Sequence, residues 1–380
     1  MILKSLLLCS DEKIVRVLRR TLGDLEIGVE LCSDADSALR KLTRERFEAI
    51  IVDCADTGAA NVLRSARNAA CNKRAVAVAI VDPAIGLRTV FDTGAHFVLY
   101  KPVSTERAKS SFRAARALMK RERRRNARVT VQIPVLIRKE NSDGTMKVVT
   151  SDMSEGGMAV NLSHRGRRPS GRWHVTFTLP GRETSMELAA EFAWEGTSSQ
   201  AGLRFMDLAP EATHQLREWL KQNSPDTEPD DPPVRCQLSD LSLGGCYLEM
   251  ASPFPVATRV TLSMSAAGVG VRAEGVVRVM HPDKGMGVEF TQATPEHRTA
   301  VEKLLGVLTG NRSLLPELLV EPEGLEIEDA ASKEQPLQSD DPLLFLFRSE
   351  AALSPETFHE ELRKQRAASA TVASAAHATA

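Results

Sequence analysis

The chain has 380 residues, of which 42% are hydrophobic and 26% are charged, and its formal net charge is -1. A chain of this length and apolar content can form two or three domains with separate cores, so a single domain is not expected. The near-neutral charge argues against a protein that binds polyanions over its whole surface, although a local basic segment can still do so.

The cysteines and the N-terminus indicate the class of protein. Six cysteines are present, with no Cys-x-x-Cys pair and no histidines at the spacing of a zinc site. The apolar run SLLL near the N-terminus is too short for a signal peptide, and no later run approaches about 18 apolar residues, the length of a membrane span. We therefore expect reduced thiols, no membrane partner and a cytoplasmic location.

Residues 1–120 alternate short apolar runs with amphipathic helical patterns. The apolar runs are SLLL, IGVEL, EAIIV, AVAVAIV and AHFVLY. Five such strand–helix pairs predict an α/β domain with a doubly wound parallel sheet. Ligands on that fold bind at the carboxyl ends of the strands.

Three residues at those strand ends resemble the site of the response-regulator receiver domain. Asp53 ends the third predicted strand and matches the phospho-acceptor, Lys101 in LYKP matches the family's lysine, and Asp11 matches one of its paired acids. The resemblance implies a phosphoryl group on Asp53 and Mg²⁺ at Asp11 and Asp53. Phosphoryl transfer to a carboxylate needs such a cation to neutralise accumulating negative charge.

Other positions of the receiver site depart from the family pattern. The neighbour of Asp11 in the acid pair is Ser10, and the loop CADTGAAN after Asp53 is short and lacks a proline. The strand-4 hydroxyl position holds Ala79 or Val81. Two interpretations stay open: a phosphorylation-dependent response regulator acting through Asp53, and a degenerate pseudo-receiver used for packing or dimerisation. The departures favour the second, in which no Mg²⁺ is expected.

After Arg128 the hydrophobic period changes to two. The runs VTVQIPVLIR, GMAVNLS, RWHVTFTL, MELAAEFAW and AGLRF are typical of strands, and NSDG is typical of a hairpin turn. An antiparallel β-barrel closed by the helix APEATHQLREWLKQ is predicted over 121–222. An acidic, proline-rich linker follows over 223–233.

Two motifs in this barrel carry the functional prediction. RERRRNARVT places Arg124 and Arg128 in an R-x-x-x-R motif before the first strand. DMSEGG places Asp152, Ser154 and Gly157 in a D-x-S-x-x-G motif. Together they resemble the PilZ domain, which binds the bacterial second messenger cyclic di-GMP.

The resemblance implies a role for each motif residue. Arg124 and Arg128, on a flexible segment, would bond guanine acceptors or phosphates through their guanidinium forks. Asp152 would accept from guanine N–H groups, and Ser154 would bond a phosphate or a base edge. Gly157 would permit close approach of the backbone. Three neighbours could assist: Arg123, Arg125 and Gly156.

Alternatives to nucleotide binding stay open. The basic run could bind nucleic acid, but no helix-turn-helix accompanies it and only 4% of the residues are aromatic. It could also be a solvated helix end in a scaffold or interaction protein without a ligand. Nucleotide binding is favoured, with a change in domain arrangement or partner contact as its consequence. No catalytic motif is present, so neither an enzyme nor a cofactor is expected.

Residues 234–309 repeat the first barrel. AGLRFMDLAPE returns as GMGVEFTQATPE and SDMSEGG as SDLSLGG, so Asp240, Ser242 and Gly245 keep the D-x-S-x-x-G motif. The preceding segment, TEPDDPPVRCQ, is acidic, lacks R-x-x-x-R and leaves no room for a complete first hairpin. Because acidic side chains repel phosphates, we predict a degenerate PilZ-like domain used for packing, dimerisation or partner contact.

Residues 310–380 have the composition of a largely disordered tail. EPEGLEIEDAASKEQPLQSDD and ASATVASAAHATA cannot bury enough apolar surface to offset the entropy of ordering. Within the tail, residues 340–366 combine an apolar patch with a helical pattern and could dock an unknown protein partner. A helical tail without a partner and a homodimer both remain open.

Overall fold

In the computed structural model of this protein, strands and helices alternate as far as residue 125. The structure describes residues 3–69, 71–125, 127–140, 144–162, 171–196, 200–206, 208–224, 231–291, 294–311, 314–326, 341–349 and 356–364. The first strands are β1 (Leu3–Leu8), β2 (Ile27–Cys32), β3 (Ala49–Asp53), β4 (Val76–Val81) and β5 (Phe97–Tyr100). The helices between and after them are α1 (Glu12–Asp24), α2 (Ala35–Arg44), α3 (Ala59–Asn68), α4 (Leu87–Asp92) and α5 (Thr105–Arg125).

These five strands form one parallel sheet in the order β2-β1-β3-β4-β5. That order is the doubly wound arrangement found in receiver-like domains. Strands β3 and β4 are buried along their whole length, because helices cover both faces of a parallel sheet. The predicted receiver-like fold is confirmed, and Asp53 lies at the carboxyl end of β3 as expected.

An antiparallel sheet follows and closes into a barrel. Its elements are β6 (Val129–Thr130), β7 (Pro134–Lys139), β8 (Thr145–Ser154), β9 (Gly157–Asn161), β10 (Arg172–Thr178), β11 (Ser185–Glu195), β12 (Gln200–Met206) and α6 (Pro210–Asn223). The order is β6-β8-β7-β10-β11-β12-β9, and β8 also pairs with β9, so the sheet meets itself. The run VTVQIPVLIR is divided between β6 and β7. At the break, the N–H of Ile133 donates to the side-chain hydroxyl of Thr150 at 2.9 Å and not to a carbonyl group of a neighbouring strand. Residues 141–143, within the predicted NSDG turn, lie outside the described residues.

A second antiparallel sheet is built from the repeat and the chain after it. Its elements are β13 (Val234–Arg235), β14 (Gln237–Leu241), β15 (Gly245–Glu249), β16 (Thr258–Ala266), β17 (Val269–His281), β18 (Gly285–Phe290), α7 (Pro295–Gly310), β19 (Glu317–Leu325), α8 (Pro342–Ser349) and α9 (356–364). The order is β13-β19-β16-β17-β18-β15-β14. Strand β19 pairs antiparallel with β16, as β7 pairs with β10 in the first barrel. The place of the missing hairpin strand is therefore taken by a strand that follows the closing helix.

The described parts of the predicted tail are folded, which corrects the expectation of disorder there. Strand β19 buries Leu318 and Val320 in the second sheet, and α8 and α9 pack on the same sheet through Phe347 and Phe358. In these segments, the apolar side chains that lie between charged residues are enough to hold the backbone against the sheet. Residues 327–340, 350–355 and 365–380 of the tail, and 225–230 of the predicted linker, lie outside the described residues.

The chain divides into two compact units, Arg123–Pro229 and Ile2–Glu122 with Asp230–Ala380. Within the second unit, α5 packs on the second antiparallel sheet. Lys120 Nζ lies 2.9 Å from Asp231 Oδ1, and the buried Glu122 carboxylate accepts the N–H of Leu325 at 2.6 Å. The predicted boundary at residue 120 thus falls inside a helix that continues to Arg125. None of the described helices is long and apolar enough to cross a membrane.

Candidate functional site

The arginine run spans the end of α5 and the entry to the first barrel. Arg123, Arg124 and Arg125 lie in the last turn of α5, where the helix carbonyl groups favour cations. Beyond the helix, the N–H of Ala127 donates to the carbonyl of Arg124 at 2.9 Å. Arg124 is therefore helical and does not lie on the flexible segment expected from the sequence.

Arg128 and Asp152, one from each of the two predicted ligand-binding motifs, meet in the fold, and we call this pair the clamp. Strand β6 pairs with β8 so that Val129 lies opposite Met153, and this register sets Arg128 beside the strand that carries Asp152. The Arg128 guanidinium donates to Asp152 Oδ1 at 2.6 Å. Because the Arg128 side chain is 49% exposed, solvent weakens the pair, and a ligand can open it at little cost.

The rest of the D-x-S-x-x-G motif forms the turn between β8 and β9. The hydroxyl of buried Ser154 donates to the carbonyl of Gly157 at 3.2 Å, a contact that shapes the turn. A Cβ on Gly157 would lie 2.1 Å from the Leu203 carbonyl oxygen, whereas a Cβ on Gly156 would meet nothing within 4 Å. Gly157 thus allows close packing of two strands, and Gly156 is the glycine with open space for a ligand.

A row of four residues crosses the outer face of the barrel beside this turn. Asp152 lies opposite Ala159, Ala159 opposite Gly202, and Gly202 opposite Trp194. Directly opposed residues project from the same face of a sheet, and three strand spacings put the ends of the row about 14 Å apart. We call these four residues the outer row. It joins the carboxylate of the clamp to an aromatic side chain.

Trp194 is a site residue that the sequence reasoning missed. Its indole lies over Gly202, where a Cβ would be 2.1 Å from Nε1, and the side chain is 39% exposed. Strict alternation would place Trp194 on the same face as Phe192, which packs on the core. The pairing register shifts between Phe192 and Trp194, and this β-bulge turns Trp194 outward.

Arg204 adds a positive charge next to the outer row. It lies opposite Gly157 on β9 and opposite Glu191 on β11, and its Nε donates to Glu191 Oε1 at 2.9 Å. The outer face therefore combines two guanidinium groups, two carboxylates and an indole, and each carboxylate accepts from one of the guanidinium groups. Such a set can bind a ligand that has anionic groups and planar rings with N–H donors.

In the receiver-like domain, Asp53 and Lys101 meet at the carboxyl edge of the parallel sheet. Asp53 is 2% exposed, and Lys101 Nζ lies 2.7 Å from its Oδ2. Burial acts to lower the pKa of Lys101, but the hydrogen bond and charge of Asp53 outweigh it, so the pKa is raised. Ala79 and Val81 are both buried and offer no hydroxyl. Phosphorylation of Asp53 stays a prediction.

The contacts around Asp53 give little support to a magnesium site. Among the described residues, the ligand atoms that lie within 4.8 Å of one another belong to Cys9, Asp53 and Asp56, and Asp11 is not in that group. Asp11 caps α1, and Asp56, which the sequence reasoning missed, accepts the N–H of Ser10 at 2.9 Å. Burial raises the pKa of the Cys9 thiol to about 12. A protonated thiol does not suit a hard cation that prefers oxygen ligands.

Comparison with family models supports the PilZ resemblance. Residues 122–222 and 224–306 match the PilZ domain family, and the second match ends before β19. The PilZ domain of CeSA from a cellulose-synthesizing bacterium is 21% identical and covers 24% of this chain and 93% of its own, with a TM-score of 0.21. The receiver domain of sensor histidine kinase PA1611 from Pseudomonas aeruginosa PAO1 is 23% identical and covers 32% and 99%, with a TM-score of 0.28.

The chemotaxis response regulator CheY4 of Vibrio cholerae is 21% identical and covers 30% of this chain and 99% of its own, with a TM-score of 0.28. No curated protein matches the sequence.

Proposed function

This chain carries two PilZ domains, at 122–222 and 224–306, after a receiver-like domain, and we propose that it is a non-enzymatic signalling effector that binds cyclic di-GMP at the first of them. PilZ domains form a family of cyclic di-GMP effectors, and neither they nor receiver-like domains are enzyme families. The proposed site is the face that carries Arg128, Asp152 and Trp194.

The observation that carries the proposal is the contact between Arg128 and Asp152. A guanine base offers the acceptors O6 and N7 to a guanidinium group, and it offers N1 and N2 donors to a carboxylate. Arg128 and Asp152 are therefore complementary to the two sides of one base. Their exposed ion pair is worth about 1 kcal/mol or less, so the ligand can replace it with stronger contacts.

The neighbouring side chains supply what a dinucleotide further needs. Trp194 presents a surface on which a base can stack, a contact worth about 1–3 kcal/mol per base. Arg124 and Arg204 can each bond a phosphate oxygen. Gly156 leaves room for the ligand to approach the backbone. Arg123 and Arg125 would assist through their charge alone.

Binding is proposed to act on α5. Arg124 lies in the last turn of this helix, and drawing its side chain onto a nucleotide would reposition that turn. The domain arrangement would change as a consequence. Small-angle scattering profiles recorded with and without cyclic di-GMP should therefore differ. Superimposable profiles from a saturated sample would contradict this step and leave the binding site itself untouched.

The test of the proposed function is calorimetric titration of cyclic di-GMP into the full chain. We expect saturable binding, and a loss of about 100-fold in Arg128→Ala, because charged hydrogen bonds contribute about 3 kcal/mol. Arg138→Ala is the matched control, since Arg138 is also exposed on this barrel and pairs with Glu187 at 3.4 Å. The proposal is wrong if the wild-type chain does not bind or if both variants lose affinity equally.

A further inference from the structure

The second PilZ domain has the same row of four positions with other residues in it. Asp240 lies opposite Tyr247, Tyr247 opposite Gly287, and Gly287 opposite Val279. The pairing register shifts just before Asp240 and just before Val279, as it does at both ends of the outer row in the first barrel. We call these four residues the second row. A tyrosine and a valine replace the alanine and the tryptophan.

The second row is covered by the C-terminal helices of the same chain. Tyr247 and Val279 are fully buried. The ring of Phe347 lies over Gly287, where a Cβ would be 2.5 Å from the nearest ring atom. Side chains of both helices join this cluster: Leu343, Leu344, Leu346, Phe347, Phe358 and Leu362. An aromatic ring from α8 therefore covers Gly287, just as Trp194 covers Gly202 at the equivalent position of the first domain.

The turn of the second D-x-S-x-x-G motif also holds α8. The N–H of Gly244, the counterpart of Gly156, donates to Asp341 Oδ2 at 3.1 Å. The other oxygen of the same carboxylate accepts the N–H of Leu343 at 3.0 Å, so Asp341 caps the helix. Leu344 fills the space beside Gly244, where a Cβ would be 2.6 Å from its methyl group. The turn binds the start of a helix through both a polar and an apolar contact.

Charge also separates the two faces. Arg204 lies opposite Gly157 in the first domain, and Glu289 lies opposite Gly245 in the second. Glu289 pairs with Arg278 at 2.7 Å. Since Arg204 pairs with Glu191 in the same way, each face carries one arginine–glutamate pair here, and the difference in charge lies in the R-x-x-x-R motif, which the second domain lacks. A face without those arginines disfavours a ligand with two phosphates. A buried row of tyrosine, glycine and valine favours an apolar ligand.

We propose that this face of the second PilZ domain is a peptide-binding site. It takes an α-helix that begins with an aspartate cap and presents leucine and phenylalanine on one side, the spacing shown by Leu344 and Phe347 in α8. The chain's own α8 and α9 occupy the site, and a partner helix of the same chemistry competes with them. The inference goes beyond nucleotide binding and holds whether or not the first domain binds cyclic di-GMP.

The test measures binding of a fluorescein-labelled peptide of residues 340–366 to the full chain by fluorescence polarisation. In the wild-type chain α8 holds the site, so the peptide should bind weakly. Phe347→Asp weakens the internal helix and leaves the site intact, and we expect the peptide to bind it about tenfold more tightly or better. Phe345→Asp is the matched control on the same helix, because Phe345 is 69% exposed, and it should behave as wild type.

Two further variants keep the test decisive. Adding Gly287→Leu to Phe347→Asp fills the site, and peptide binding should be lost again. If Phe347→Asp reduces the circular dichroism signal of the chain, Leu344→Ala replaces it as a milder release of α8. The inference is overturned if a folded released variant binds no peptide, or if Phe345→Asp binds it equally well. It is also overturned if release yields a second equivalent of bound cyclic di-GMP, since the face would then be a covered nucleotide site.

Discussion

The two PilZ domains share one scaffold and differ in what lies over the same row of residues. Both have a row of opposed residues between two β-bulges with a glycine in the third position. In the first domain the row runs from Asp152, which holds Arg128, to the exposed Trp194. In the second, Phe347 lies on Gly287 and closes the face. The recognition face thus depends on a few row residues and on the segment laid over them, and the fold alone does not determine it.

The domains also differ in where one strand comes from. Strand β7 precedes the first barrel's other long strands, whereas β19 enters the second sheet after the closing helix α7. The chain that leads into the first barrel carries R-x-x-x-R, and the chain that leaves β19 carries α8. The leaving strand therefore brings a covering helix to the second domain. The arginines are missing for a separate reason, since the segment that enters the second domain ahead of β13 is present but acidic.

The largest expected effect concerns the aspartate at the same position of both domains, Asp152 in the first and Asp240 in the second. Asp152→Ala in the full chain should lower the affinity for cyclic di-GMP by about 100-fold, since it removes a charged acceptor and leaves Arg128 without its partner. Asp240→Ala, the same change in the second domain, should leave the affinity unaltered. Calorimetric titration of both variants checks this. Equal losses would mean that the second domain also takes part in nucleotide binding.

The next effect tests how firmly β19 is held in the second domain. Glu122 is buried, accepts the N–H of Leu325 at 2.6 Å and pairs with Arg74 at 3.3 Å. Glu122→Gln should lower the free energy of unfolding by about 2–3 kcal/mol, because it removes the charge that holds both partners. Urea denaturation followed by circular dichroism measures the loss. Glu106→Gln, an exposed change on the same helix, should cost almost nothing, and a loss similar to that of Glu122→Gln would contradict the assignment.

A smaller effect concerns the two row glycines. Gly202→Ala should displace Trp194 and weaken cyclic di-GMP binding about tenfold, the value of one stacking contact. In the Phe347→Asp chain, adding Gly287→Ala should weaken binding of the labelled peptide, because the new Cβ would meet Phe347 of the peptide as it would meet Phe347 of α8. Each variant is measured in both assays. Each variant should change the binding of one ligand only, either cyclic di-GMP or the labelled peptide. A variant that changes the binding of both would show that the two faces are not independent.

The sequence was sufficient where the pattern is local. Alternating apolar runs predicted the parallel sheet, and two motifs predicted the meeting of Arg128 with Asp152. Strand β19 was missed, because Pro322 within it argues against a strand. Pro322 is accommodated opposite Val260, next to a register shift in β16, and β13 pairs only with Leu319 and Val320. A proline is tolerated there since one side of β19 lacks a partner strand.

The docking of α8 could be predicted only in part. The apolar side chains of residues 340–366 allowed two interpretations, a segment that docks a partner and a helical tail without a partner. An amphipathic pattern shows that one side of a helix must be buried, but it does not identify the surface that buries it. The described residues of the segment dock on the second row of their own chain. That row became apolar through Tyr247 and Val279, and the outward direction of Val279 depends on a bulge that the sequence does not reveal.

A further expected effect is a pH dependence confined to the covered face. Tyr247 Oη lies 3.0 Å from His281 Nδ1, and the ring of Phe358 in α9 lies 4.7 Å from the His281 ring. Burial lowers the pKa of His281 to about 4, helped by the charges of His359 and Lys284. Glu356 acts in the opposite direction.

The sign follows from the unfolded value of about 6.5. Between pH 6.5 and 4, His281 is protonated in the unfolded chain and neutral in the folded chain. Its contribution to stability is therefore complete above pH 6.5. It decreases as the pH is lowered, by at most about 1.4 kcal/mol per pH unit. His281→Phe should flatten the dependence of the unfolding free energy on pH in this window. Because His281 lies beneath α9 and the peptide includes the α9 segment, the wild-type chain should bind the labelled peptide no more tightly at pH 5 than at pH 7. If the unfolding free energies of the wild-type and His281→Phe chains had the same slope against pH, another group would be responsible for the slope. Protonation of His281 would then not affect the packing of α9.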